Sequence, residues 1–192
     1  PRYEQLVQAL FFARWCNKDA TLTALGSAQA LADPDAVEAA LDAMAPWCNH
    51  TAYPVGAVHF EGEDWARRAF ATRGLARAAP TLLAKIRGAG GSVCAAVDAI
   101  NDALKMENDF PIFCAVSDLA WFRPDLIDPA SPVPSGIGSA PYMDVLQRHL
   151  KCSNHDEVSQ RVMAMQLELW PEARRPLQPI DVEYLACELR KY

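Results

Sequence analysis

No apolar run in this sequence is long enough to cross a bilayer. The longest, Phe110 to Phe122, contains Asp118 and falls short of the roughly 20 apolar residues a spanning helix needs. Positive charge is also scarce. Eighteen Lys and Arg face 24 Asp and Glu, a net charge of −6, so the chain as a whole is not the basic footprint of a nucleic-acid coat. The six cysteines (Cys16, Cys48, Cys94, Cys114, Cys152 and Cys187) include no Cys-x-x-Cys pair. With no apolar leader ahead of them, they read as core-filling thiols of a reducing compartment, and a cytoplasmic location is expected. Strand-length alternation of apolar and polar residues is missing as well, with Val55 to Phe60 the best short strand candidate.

Helical spacing fills the chain instead. Tyr3, Leu6, Val7, Leu10 and Phe11 make one apolar stripe,. Asp33-Pro34 is a cap followed by a first-turn proline, leading into Val37, Leu41 and Met44,. A helix is expected over Trp65 to Arg77, ending near Gly74, and another over Pro80 to Arg87. Ser92 then caps Val93, Val97, Ile100 and Leu104,. Pro111 to Trp121 is almost wholly apolar, which places it at the centre of a bundle,. Ala140 to Leu150 follows, then a helix opened by Ser153 and Asp156 as a capping-box-like pair, and a last helix from Pro179 to Tyr192,. The expected fold is all-α: a single domain over residues 1–192, with eight or nine helices,.

Four features carry possible chemistry. Asp181, Tyr184, Glu188 and Lys191 share one face of the last helix; two carboxylates, a phenol and an amine there can hold a polar substrate or move protons. The same spacing also describes a solvated face. Gly136-Ile137-Gly138-Ser139 runs straight into a helix, where backbone amides suit a phosphate. Arg148 and Lys151 would extend it as a basic track, while a plain tight turn is the simpler reading. Arg67, Arg68, Arg73, Arg77, Lys85 and Arg87 form the one strongly basic stretch, either a phosphate strip or the solvated side of an amphipathic helix. Arg14 lies at the end of the first helix and Asn17 where it should stop, one a possible grip on an anion and the other a possible C-cap. Cys48, His50 and His59 lack the paired spacing of a zinc site. No cofactor motif is present.

Several of these segments resemble the α-glutamyl/putrescinyl-thymine pyrophosphorylases, or amino acid:DNA transferases. Pro111-Ile112-Phe113 through Ser117-Asp118-Leu119 is similar to that family's apolar helix ending in Asp-Leu. Gly136-Ile137-Gly138-Ser139-Ala140 stands where the family has a Gly-Pro-Gly-Ala turn. Asp181 to Tyr192 resembles its last helix, which ends in Lys-Tyr. Ile137 replaces the family's proline, and Ala186-Cys187 shifts its Leu-Cys order. The match covers the C-terminal 80 residues or so, and in the N-terminal half rests on Arg14 and Asn17.

The resemblance implies an all-helical protein distantly similar to helix-hairpin-helix DNA glycosylases and related to the helical domain of 5-hydroxymethyl-deoxyuridine DNA kinases. It implies DNA containing modified thymine as substrate, a small amine or amino-acid donor, and a DNA kinase in the same bacteriophage-type pathway. Arg14 and Lys191 would stabilise departing pyrophosphate, and Glu188 or Asp118 would act as base or hold the amine. Asn17, Asp181, Tyr184 and Tyr192 would bind substrate, and Gly136, Gly138, Ser139, Arg148 and Lys151 the DNA backbone. The alternatives are a non-catalytic helix-hairpin-helix-like DNA-binding module and a helical protein-interaction domain.

Overall fold

The computed structural model describes residues 3–49 and 56–190. It is 65% helix and 4% strand, so the chain is all-α. Helix α1 (Tyr3–Cys16) packs on α5 and α7 together. Its buried arc is therefore wider than one stripe, running over Val7, Phe11, Phe12, Trp15 and Cys16, while Tyr3, Leu6 and Leu10 are only partly covered. Asn17 adopts a left-handed φ of 44° and its amide donates to the Ala13 carbonyl at 2.7 Å, which stops the helix,. After α2 (Asp19–Leu25) and a 3₁₀ turn, α3 (Pro34–Asp42) starts as its sequence demands. Asp33 accepts from the amides of Asp35 and Ala36, and Pro34 fills the first turn,.

The next segment departs from expectation. Trp65 lies in a small hairpin, not a helix: β1 (Val58–Phe60) pairs antiparallel with β2 (Glu63–Trp65), and Glu61 and Gly62 both take positive φ at the turn,. From Arg67 the chain then runs as one rod, α4 (Arg67–Ala69), a π-turn (Phe70–Gly74) and α5 (Leu75–Gly88). Gly74 does not end a helix. A Cβ there would lie 2.3 Å from the Phe70 ring, so the glycine makes room for that ring at the π-turn,. Pro80 sits inside the rod on its exposed side, at the cost of one backbone hydrogen bond. Counting α4 to α5 as one rod, the described residues form nine helices.

Ser92 caps α6 (Val93–Leu104) through the Ala95 amide. Helix α7 (Phe110–Phe122) is buried nearly all round, as its composition requires,. The remaining helices are α8 (Ala140–Leu150), α9 (His155–Leu169) and α10 (Pro179–Leu189). The cap of α9 is Asn154 rather than Ser153: its side chain accepts from the Glu157 amide, and the Glu157 carboxylate accepts from the amide and hydroxyl of Ser153,. Helices α8 to α10 enclose a small second core of Met143, Val158, Val182 and Ala186. Helix α10 joins the two cores, because Ile180 and Tyr184 on its other side belong to the main one. Among the described residues, no helix is long and apolar enough to cross a membrane.

Candidate active site at the junction of α1, α7 and α10

Arg14, in the last turn of α1, points across to α7. Its Nε and Nη2 each donate to one oxygen of Asp118 at 2.6 Å, a two-pronged ion pair between residues far apart in sequence,. Both side chains are about three-quarters covered (24% and 23% exposed). The hydrogen bond to Asp118 holds the guanidinium well above its usual pKa, so Arg14 is a permanent cation. Nη1 lies outside this pair.

Tyr184 of α10 closes the junction, edge-on to Phe113 at 5.9 Å. Burial, then the neighbouring Cys114, pushes its phenol up; Arg14 and Ser117 draw it partly back, and Asp118 adds to the rise. The Tyr184 hydroxyl and the Ser117 hydroxyl are both buried, yet neither makes a hydrogen bond of normal geometry. The two hydroxyls interact with each other, and Tyr184 with the Cys114 thiol, beside the fixed ion pair. Burial also pushes the Cys114 thiol up to about 12, which suits the structural role its apolar setting predicts.

Tyr184 also borders a cleft of about 540 Å³ on the outer side of α10, lined further by Trp170, Arg174, Leu177, Leu185 and Glu188. The segment over this cleft is pinned in place. The Gln166 amide group donates to the Arg175 carbonyl and accepts from the Leu177 amide. Arg175 grips both oxygens of Asp181 at 2.7 Å and lies over the Trp121 ring. Asp181 is thus engaged in the helix start, where it also accepts from the Gln178 amide.

The candidate residues therefore separate. Arg14, Asp118 and Tyr184 come together. Glu188 is exposed at the cleft rather than turned in with them, so the residue of α10 that meets the Arg14–Asp118 pair is Tyr184. Lys191 and Tyr192 lie outside the described residues, as does His50. Asn17 shapes the end of α1. Ser139 is fully buried, its turn closing on α10, while Arg148 and Lys151 are exposed at the opposite end of α8, about 16 Å away along an 11-residue helix,.

The basic stretch is largely neutralised. Arg68 pairs with Glu38 and Asp42, Arg73 with Asp35, and Arg77 with Glu61 and Glu63. Arg67 donates to the Trp15 and Asn49 carbonyls and lies over Trp47. Among the described residues, no cluster of three or more metal-ligating side chains is found.

Sequence reasoning missed Glu183, which is only 2% exposed. The signal was present: Pro179, Ile180, Ala186 and Cys187 surround position 183 on a helical wheel and set it within an apolar arc,. No family model, curated sequence or solved structure matches this chain.

Proposed function

We propose that this protein is a transferase acting on modified thymine in DNA, replacing the pyrophosphate of a pyrophosphorylated 5-hydroxymethyluracil with an amine. The observation that carries this reading is the pairing of Arg14 with Asp118 beside Tyr184. The resemblance assigned chemistry to Arg14 and Asp118 although 104 residues separate them, and their side chains lie in contact beside Tyr184, which lines the cleft.

In this reading Asp118 is a positioning residue. It holds the Nε–Nη2 edge of the guanidinium and leaves Nη1 for the phosphate oxygens of the leaving group. The amine nitrogen forms a bond to the exocyclic carbon while the carbon–oxygen bond to pyrophosphate breaks. The electron pair leaves with pyrophosphate, and the amine proton passes to the Glu188 carboxylate at the cleft. Trp170 and Tyr184 supply flat apolar walls for a base taken out of the duplex,.

The test is incubation of the protein with such DNA and a panel of amines and amino acids, read by nucleoside mass spectrometry. A new aminomethyl nucleoside, matched by released pyrophosphate, is expected with at least one donor. Unchanged nucleosides across the panel, from protein shown to be folded, would overturn the reading.

A further inference from the structure

Glu183 is a carboxyl that the molecule buries with one oxygen unsatisfied. It is 2% exposed, Oε2 makes no hydrogen bond, and no cation pairs with it among the described residues. On one side stands α7, whose Cys114 senses the Glu183 charge, and on another α10 itself. The remaining wall is the Gly136–Ser139 turn, whose Ser139 hydroxyl and Gly136 backbone touch the carboxyl.

That turn is held to α10 at two further points. Arg190 Nη1 donates to the Ile137 carbonyl at 2.6 Å. Gly138 packs so closely on Cys187 that a Cβ would lie 2.7 Å from its sulfur. Across the cavity of about 510 Å³ beside the turn, the carboxylates are Glu107 and Asp109, with the Cys187 thiol the other titratable group, so none of them supplies a compensating positive charge.

We propose that Glu183 is a charge-controlled latch: neutral, it lets the Gly136–Ser139 turn close on α10, and ionised, it drives the turn outward to admit water. A buried carboxylate lacking a partner for one oxygen is far more costly than the neutral acid. Of the three walls, the turn is the one outside a helix interior, joined to α8 where the Ser139 carbonyl accepts its first amides. The ionised proton goes to solvent, and water replaces the missing partner of Oε2. Burial pushes the Glu183 carboxyl up, against the opposing pull of Ser139 and Gly136, in keeping with a closed form that prefers the neutral acid. The latch concerns the turn and α10 alone and stands apart from the transferase reading.

Hydrogen exchange of the full chain tests it, from about pH 4 to about pH 8, with each rate divided by that of unstructured peptide at the same pH. Protection of residues 136–140 should fall by up to roughly tenfold per pH unit between the ordinary carboxyl value and the raised one, then level off. Labelling of Cys187, read by mass spectrometry, should rise over the same range. In Glu183→Gln both effects should vanish. Protection of 136–140 that stays flat with pH in the wild type would overturn the latch, as would an equal fall in the variant. So would a wild-type fall shared by α5 and α6, since that is global unfolding; this control needs no variant.

Discussion

Arg14 and Asp118 show how little freedom a two-pronged ion pair leaves: both guanidinium nitrogens that face Asp118 bond at 2.6 Å. Glu183 is the opposite case, a buried carboxyl with no such cationic partner among the described residues. Its folded pKa is raised by burial, so its favourable contribution is complete below the unfolded carboxyl value and is lost as pH rises through the folded one. Glu183→Gln should therefore be more stable than wild type at pH 8, with the gap closing towards pH 4, as measured by urea unfolding at each pH. An equal gap at both ends would separate the effect from ionisation. Close by, Gly138→Ala forces a Cβ onto the Cys187 sulfur, and should destabilise by about 1–3 kcal/mol. Adding Cys187→Ala should recover much of that loss in a double-mutant cycle. A harmless Gly138→Ala would contradict the packing of the turn on α10.

Among the elements, those with a local start signal were legible in the sequence. Asp33-Pro34 and Ser92 cap the helices they precede, and the almost wholly apolar stretch Pro111 to Trp121 put α7 in the core. The rod from Arg67 to Gly88 was not legible, because Gly74 and Pro80 are helix breakers by propensity. Here tertiary packing of Phe70 and the exposed position of Pro80 override that propensity. The start of α9 turned on two adjacent polar residues that sequence alone does not rank. Asn154→Ala should cost about 1 kcal/mol in thermal or chemical unfolding, and Ser153→Ala less, since Asn154 is the residue that caps. A larger loss from Ser153→Ala would reverse that assignment.

For the molecule as a whole, the consequential feature is that α10 serves two cores. Met143, Val158, Val182 and Ala186 pack apart from the main cluster that holds Ile180. Trimming Val158, which is fully buried, to Ala should lower hydrogen-exchange protection in α8 and α9 first. Protection in α5 to α7 should follow only under conditions near global unfolding. Simultaneous loss everywhere would show a single cooperative core instead. The same geometry explains why the site was half legible. Spacing put Tyr184 and Glu188 on one helix face, but only the second core, by fixing how α10 is turned, brings Tyr184 in towards Arg14 and leaves Glu188 at the outer cleft.

In the proposed transferase, Arg14, held by Asp118, stabilises a departing pyrophosphate. The most direct test is single-turnover pyrophosphate release from DNA bearing pyrophosphorylated 5-hydroxymethyluracil, comparing wild type with Arg14→Ala whose folding is verified by circular dichroism. Loss of a preorganised charge donor predicts a rate lower by about 100-fold or more in the variant. Equal rates in the two proteins, or no release from the wild type with any amine, would contradict the account.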